Sequence, residues 1–254
     1  MLKIIGNNNV FAVVSSVGAT VKRFVRDGKE LIFPERMVGD KFRGGIPICF
    51  PFFGKPIEAF SSFPRHGWLR HQELELYLYR DTSDQVVFVG ENEVTEEFPW
   101  KLKYAVTISI DPMAGFLMLE LVVERLLDGE YFRAPINPGF HPYFCSDFSK
   151  PPKYSIAKCL ARVGSRVLTD FKKESEIITV DNPILVKSGE RTLNMELGGD
   201  FNSASQLTLW SDNADEYFCV EPILMHPNVF AELEGGKFLS EGEKSEMVMT
   251  LRLV

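Results

Sequence analysis

The sequence predicts an all-β protein, in the form of a large antiparallel β-sandwich or a related architecture. Short runs rich in β-branched and aromatic residues recur along the chain. Gly, Pro, Asn and Asp separate these runs as turn signals. Hardly any segment shows a sustained 3.6-residue period with helix caps. Many short strands joined by such turns are typical of sandwiches and barrels.

The strand candidates follow one another through both halves of the chain. Asp27-Gly28 is a strong signal for a tight turn between two of them. Residues 104–110 alternate between apolar and polar side chains, "DPMAG" follows as a turn, and residues 116–126 are again β-friendly. We therefore expect these two segments to pair as an antiparallel hairpin. The remaining strand candidates are residues 10–25, 30–33, 86–90, 153–168, 177–180, 184–186, 206–210, 217–220 and 247–253.

The best helix candidate is a single turn at residues 94–97, capped by Asn92 or Thr95. The chain shows neither a fixed-period repeat nor a low-complexity linker, and its length suits one large domain. Hydrophobic residues make up 45% of the sequence, which is the share found in proteins with a full core. These properties predict a single domain over residues 1–254.

Charge and cysteine usage exclude several classes of protein. A formal net charge of -7 without a basic stripe argues against nucleic-acid binding. The sequence shows neither a signal peptide nor an apolar run long enough to cross a membrane. The four cysteines are scattered, without a CxxC or a zinc-like spacing. We therefore expect a cytoplasmic protein with reduced thiols and no metal.

Two long segments, residues 43–70 and 221–230, combine Pro, Gly and aromatic residues in a way that is untypical of strands. Long loops inside compact domains are usually functional or disordered, and this aromatic content argues for order. We expect the first segment to be ordered and to pack over other parts of the protein.

Two residues are candidates for proton transfer. His141 is one of only four histidines and lies in the rigid stretch "NPGFHPYF", where a packed structural ring is an equally simple interpretation. Glu221 ends the apolar strand candidate 217–220, where partial burial would raise its pKa towards the values of a general base. The alternative for Glu221 is an ion pair with an arginine at a strand end.

Three arginines, Arg43, Arg65 and Arg70, lie among Gly, Pro and aromatic residues. The planar guanidinium group suits carboxylates, phosphates and sugar hydroxyls, although surface ion pairs are the simpler alternative. Nearby aromatic rings suit the apolar faces of a pyranose, and they suit an ordinary core as well. These rings are Phe52, Phe53, Trp68, Phe140 and Tyr143.

Four motifs in order, "RGGIPICFPFFG", "RHGWLR", "NPGFHPYF" and "CVEP", resemble the galactose mutarotase-like superfamily. The likeness is greatest to the hexose-6-phosphate mutarotase (glucose-6-phosphate 1-epimerase) branch of the aldose 1-epimerases. It runs from about Gly18 to the C-terminus. It implies a large antiparallel β-sandwich, called a supersandwich, and interconversion of the α and β anomers of a sugar.

The resemblance also implies catalytic roles. His141 matches the general acid that protonates the ring oxygen, and Glu221 matches the general base that takes the proton of the anomeric hydroxyl. The ring opens to the aldehyde, the C1–C2 bond rotates, and the hydroxyl adds again to the other face. His66 matches a residue that contacts the ring oxygen or a nearby hydroxyl.

The same resemblance implies a set of binding residues. Arg43 and Arg70 match basic residues associated with substrate binding in the phosphate branch, and Arg65 matches a further substrate contact. An aspartate that holds sugar hydroxyls is expected at Asp181, with Asp170 as the second choice. The interval between the two catalytic residues looks shorter than in the phosphate branch, which leaves the identity of the sugar open.

An imidazole and a carboxylate supply the acid and the base that such a reaction needs, so we expect neither a metal nor another cofactor. The expected partner is a small sugar or sugar phosphate. A carbohydrate-binding or regulatory protein of the same fold without turnover is the main alternative. A glycosidase-like hydrolase would need a second carboxylate beside Glu221, and the loop motifs offer none.

Overall fold

The computed structural model describes residues 1–39, 41–55, 60–77, 80–127, 132–146, 154–155, 167–168, 176–179, 184–188, 191–203, 206–226 and 237–253. Within these ranges the regular structure is almost entirely antiparallel β-sheet, without an α-helix, so the all-β prediction is confirmed. A helix with the length and apolarity needed to cross a membrane is absent from the same ranges. The strands are β1 (Leu2–Gly6), β2 (Val10–Ser15), β3 (Val21–Arg26), β4 (Lys29–Glu30), β5 (Arg36–Val38), β6 (Lys41–Arg43), β7 (Ile48–Cys49), β8 (Glu75–Leu76), β9 (Gln85–Glu91), β10 (Leu102–Asp111), β11 (Phe116–Arg125), β12 (Ala134–Ile136), β13 (Gly139–Phe140), β14 (Tyr143–Cys145), β15 (Tyr154–Ser155), β16 (Val167–Leu168), β17 (Glu176–Thr179), β18 (Ile184–Ser188), β19 (Arg191–Gly199), β20 (Gln206–Trp210), β21 (Tyr217–Ile223), β22 (Lys237–Leu239) and β23 (Lys244–Leu253), with 3₁₀ turns at Leu69–His71 and Asp200–Ser203.

A seven-stranded sheet has the order β18-β19-β23-β11-β10-β9-β8. Its centre is the hairpin expected from the sequence, in which β10 and β11 pair in register from Leu102↔Arg125 to Asp111↔Phe116. Alternate residues of β11 are buried, as a strand with one face on the core requires. The predicted hairpin is therefore confirmed.

A second sheet, of six strands, has the order β17-β20-β21-β13-β7, and β14 also pairs with β21. Because β21 has neighbours on both edges and covered faces, all of its residues are buried. Gly139 of β13 packs too closely for a larger side chain, since an added Cβ would lie 2.8 Å from the Pro222 carbonyl oxygen. This sheet carries Glu221, and the connection between its strands β13 and β14 carries His141.

The apolar faces of these two sheets and of a four-stranded sheet, β1-β2-β3-β4, meet in one hydrophobic cluster. Phe24, Leu119 and Val220 represent the three sheets in it, and each is fully buried. Each such side chain contributes about 1.5–3 kcal/mol through burial. The assignment of residues 1–254 to a single domain stays a prediction.

The helical turn expected at residues 94–97 is wrong, because the structure has a bend there. The Thr95 hydroxyl accepts a hydrogen bond from the Phe98 N–H at 3.1 Å, and the Thr95 N–H donates to the Phe98 carbonyl. The Asn92 side chain accepts from the Leu102 N–H at 2.7 Å. The polar groups proposed as helix caps thus close a turn next to β10, as such side chains often do.

The described part of the segment 43–70 packs as expected, through stacked aromatic rings. Phe52 stacks on Phe60 at 4.8 Å between ring centroids, and Phe63 meets Trp68 edge-on at 5.1 Å. Gly67 has φ +74°, and a Cβ at this position would lie 2.0 Å from the Phe50 carbonyl oxygen. Glycine is required here both by the backbone conformation and by the close approach.

We predict that Gly67→Ala lowers the free energy of unfolding by about 2–4 kcal/mol, since it adds a steric clash to an unfavourable φ. Gly28→Ala is the matched control, because Gly28 has a similar φ of +71° with open space around its Cβ. It should cost only about 1 kcal/mol. Urea unfolding of both variants measures the difference, and equal losses would contradict the close approach at Gly67.

Candidate active site

A cavity of about 640 Å³ lies between β14, β20 and β21 on one side and the segments 41–53 and 64–71 on the other. Of the site residues expected from the sequence, Arg43, Arg65, His66, Arg70, His141 and Glu221 all line it. Asp181 and its alternative Asp170 lie outside the described residues. The cavity has four further lining residues that the sequence did not predict, namely Lys41, Thr208, Trp210 and Asp212. The exposed His71 also borders it.

His141 and Glu221 form a buried pair in this cavity. The Nε2 atom of His141 lies 3.5 Å from Oε2 of Glu221, and the two side chains are only 7% and 2% exposed. Glu221 projects from the buried strand β21, directly opposite Thr208 of β20. The geometry places an imidazole and a carboxyl group within reach of one small substrate.

The His141 ring is held from several directions. Its backbone N–H donates to the Pro47 carbonyl at 2.9 Å, and its ring stacks on Tyr143 at 4.7 Å with an interplanar angle of 7°. His66 contacts it edge-on at 5.3 Å. The same stretch is tied to the rest of the protein by Asn137, whose Oδ1 accepts from the Met225 N–H at 2.9 Å. His141 is therefore both packed against aromatic rings and exposed to the cavity.

The electrostatic environment drives the two members of the pair towards their neutral forms. Burial raises the pKa of Glu221 well above its ordinary value, and Arg65 opposes this only in part. Burial also lowers the pKa of His141 well below its ordinary value, and His66 and Arg70 add to this effect. The upward direction for Glu221 agrees with the sequence-based expectation. Both shifts favour the uncharged forms of the carboxyl group and the imidazole.

His66 is a neutral group with a constrained backbone. It adopts φ +68°, which is uncommon for a residue other than glycine. Its backbone N–H donates a hydrogen bond to the Gly54 carbonyl at 2.7 Å. The Gly54 N–H and the Arg65 Nε–H approach its two ring nitrogens at 3.2 Å each. A protonated ring carries N–H at both nitrogens and would meet donors on both sides. Burial, with Arg70 and Arg65, lowers the pKa of His66 to about 3.

Arg43 is paired, which the sequence did not reveal. Its Nη2 lies 2.6 Å from Oδ2 of Asp212, and its Nε lies 3.2 Å from the same oxygen. Its guanidinium group also lies over the Trp210 ring, 5.3 Å from the centroid, while the Tyr217 hydroxyl donates to Asp212. Asp212 follows β20 in the stretch "SDNAD", a pattern that looks like an ordinary polar turn, so sequence reasoning had no signal for its role.

Arg65 and Arg70 keep their charges available to the cavity. Within the described ranges neither of them forms an ion pair. Both act on the pair described above, since Arg65 favours the carboxylate form of Glu221 and Arg70 disfavours protonation of His141. The cavity is therefore electropositive next to its neutral acid and base.

A metal ion could reach ligands in one place. Ligand atoms of His141, Cys219 and Glu221 lie within 4.8 Å of one another, and all three residues are buried. Burial raises the pKa of the Cys219 thiol, so a metal would have to displace protons from both Cys219 and Glu221 before binding. The expectation of a metal-free site stays a prediction. Cys49 is a buried free thiol too, and Cys159 lies outside the described residues.

Comparison with known sequences identifies one matching family. The sequence pattern that describes the family "Aldose 1-epimerase" matches residues 1–173, which include His141 and all the cavity arginines.

Solved structures with the same fold cover the whole chain. The Slr1438 protein from Synechocystis sp. PCC 6803 superposes with a TM-score of 0.77 at 16% identity, covering 100% of this chain and 95% of the other. A galactose mutarotase-like protein from Lactobacillus casei ATCC 334 gives 0.71 at 19% identity, covering 100% of both chains. Galactose 1-epimerase from Lactobacillus acidophilus NCFM gives 0.65 at 13% identity, covering 99% and 93%. At these identities the similarity shows the galactose mutarotase-like fold.

We predict that Glu221→Gln gains stability relative to the unchanged protein as the pH rises. The folded protein keeps a proton on Glu221 that the unfolded chain releases near pH 4.5. The stabilising contribution of the protonated form is complete below that pH and is lost as the pH rises through the folded-state pKa. Within this window the loss is about 1.4 kcal/mol per pH unit.

The measurement is the free energy of unfolding in urea for both proteins at a series of pH values. Glu75→Gln, at an exposed glutamate of β8, is the matched control for the loss of a carboxyl group outside the cavity. A difference for Glu221→Gln that does not change with pH would contradict the raised pKa of Glu221.

Proposed function

The chain belongs to the aldose 1-epimerase family, and on that premise we propose that it interconverts the α and β anomers of an aldose or a hexose 6-phosphate. The observation that carries the proposal is the buried His141–Glu221 pair, 3.5 Å apart in a cavity large enough for a pyranose. Mutarotation requires one group that removes a proton and another that supplies one to the same ring. The pair offers both.

In the proposed ring-opening step, the Glu221 carboxylate takes the proton of the anomeric hydroxyl. The bond between C1 and the ring oxygen breaks as C1 becomes an aldehyde, and His141 gives its proton to the departing ring oxygen. The sugar is then an open chain, while both protein groups are neutral. Rotation about the C1–C2 bond presents the other face of the aldehyde, and the same transfers in reverse close the ring.

The proposed cycle uses two protonation states of the pair. In one state the pair is a carboxylate and an imidazolium, and in the other both groups are neutral. Each state contains one proton, so the pair can pass between them through the substrate without releasing a proton to solvent. Burial favours the neutral form, and this form corresponds to the open-chain stage. Arg65 and the hydroxyls of a bound sugar favour the charged form that begins ring opening.

The remaining site residues have proposed binding roles. His66, which stays neutral, would contact the ring oxygen or a neighbouring hydroxyl. Arg65 and Arg70, with no ion pair within the described ranges, suit a 6-phosphate or a hydroxyl. The sugar-binding aspartate remains proposed at Asp181, or at Asp170.

A carbohydrate-binding protein without turnover is the second candidate, because the same cavity would bind a sugar either way. The buried acid–base pair favours the enzyme, since sugar binding alone does not need two titratable groups at 3.5 Å with opposite pKa shifts. A cytoplasmic location and activity without a cofactor belong to the same proposal.

We predict that His141→Asn and Glu221→Gln each reduce catalysed anomer exchange by about 10²- to 10⁴-fold, because each removes one partner of proton transfer. NMR exchange spectroscopy of glucose and glucose 6-phosphate measures the rate directly. His226→Asn and Glu75→Gln, which change an exposed histidine and an exposed glutamate, are the controls and should retain full activity. Unchanged exchange in either pair variant would refute its proposed role.

We predict that Arg70→Ala weakens glucose 6-phosphate turnover by at least about tenfold more than glucose turnover, since a charge-assisted contact to phosphate is lost. The quantity to compare is kcat/KM for the two sugars. Arg252→Ala, at an exposed arginine of β23, is the matched control. Equal losses for both sugars would make Arg70 a structural residue and remove the support for a phosphate.

A further inference from the structure

Asp212 occupies the Nε–Nη2 edge of the Arg43 guanidinium group. The Nε and Nη2 atoms of Arg43 both donate to Asp212, at 3.2 Å and 2.6 Å to Oδ2, and Nη1 donates to the Phe42 carbonyl at 3.2 Å. An arginine binds a phosphate or carboxylate most strongly through two parallel N–H groups along one edge. That edge of Arg43 is already engaged by Asp212.

The pairing is supported by neighbouring side chains. The Tyr217 hydroxyl donates to the other carboxylate oxygen of Asp212, and the Trp210 ring lies under the Arg43 guanidinium. Burial alone would raise the pKa of Asp212, but hydrogen bonds from Arg43 and Tyr217 outweigh it and lower the pKa. Asp212 is therefore ionised at neutral pH, and both it and Arg43 line the cavity.

We propose that Asp212 determines the charge selectivity of the cavity: it neutralises Arg43 and confines recognition of an anionic substituent on the sugar to Arg65 and Arg70. The inference rests on the proposed function and deepens it. It assigns Arg43 a role other than phosphate binding, although the resemblance matches Arg43 and Arg70 alike to basic residues associated with substrate binding in the phosphate branch. Arg43 then offers its remaining N–H groups to neutral hydroxyls.

The test is a charge series of Asp212→Asn, Arg43→Gln and the double variant. For each protein, kcat and KM are measured by NMR exchange for glucose and glucose 6-phosphate at low and high salt. Asp212→Asn should raise the kcat/KM ratio of phosphorylated to free sugar by about fivefold to tenfold, chiefly through KM. Arg43→Gln should lower the ratio by a similar factor, and the double variant should return it to within about twofold of the original.

Three further measurements distinguish a role of Asp212 in substrate selectivity from a role in stabilising the fold. High salt should reduce both shifts, since they arise from charge. Asp212→Glu should keep the original ratio, and so should Tyr217→Phe, which removes a hydrogen bond to Asp212 without altering charge. Thermal unfolding establishes that each variant is folded. An unchanged ratio in Asp212→Asn, with both sugars affected equally, would overturn the inference.

The same proteins distinguish failure of this inference from failure of the proposed function. If the unchanged protein does not accelerate anomer exchange, the proposed function is wrong, and the ratio is then taken from NMR titration of glucose and glucose 6-phosphate binding. The role of Asp212 would still be supported if the ratio of glucose 6-phosphate affinity to glucose affinity followed the same order among the variants. Equal affinity ratios in all variants, or no binding of either sugar, would overturn it.

Discussion

An imidazole and a carboxyl group placed 3.5 Å apart and almost out of contact with water cost free energy unless the structure around them compensates. Here the compensation comes from neutrality, because burial shifts the two pKa values in opposite directions and favours the uncharged form of each group. The fully buried strand β21 holds Glu221, and the short connection between β13 and β14 holds His141. The other residues of the cavity are arranged around this pair.

The segment 43–70 completes the cavity from the opposite side, and its aromatic packing determines where its charges lie. Gly67 allows the chain to approach Phe50, and the left-handed backbone of His66 directs its ring at His141. Arg65 and Arg70 flank this turn, one before it and one just after it. The effect of Arg65 and Arg70 on the pKa values of the acid–base pair therefore follows from the way in which this segment folds over the six-stranded sheet.

Sequence reasoning was most successful where the signal is local and periodic. The alternation in residues 104–110 and the turn after it predicted the central hairpin. The order of the motifs predicted that His141 and Glu221 belong to one site, although 80 positions separate them in the sequence. It failed at residues 94–97, where no helix forms. Instead, the Asn92 side chain accepts a hydrogen bond from Leu102 of β10, and the Thr95 hydroxyl accepts one from Phe98. It also missed Asp212, because the pairing of a turn residue with Arg43 is a long-range contact without any local pattern.

Strand β21 carries both Tyr217, which supports the Asp212–Arg43 pair, and Glu221. Four residues of extended chain separate their Cα atoms by about 13 Å, a spacing that a hydrogen-bonded strand cannot change by small steps. A change of sugar preference that keeps both Tyr217 and Glu221 in place therefore falls on residues outside β21. The turn at residues 64–71, which carries Arg65 and Arg70, is a part of the cavity that lies outside the strands.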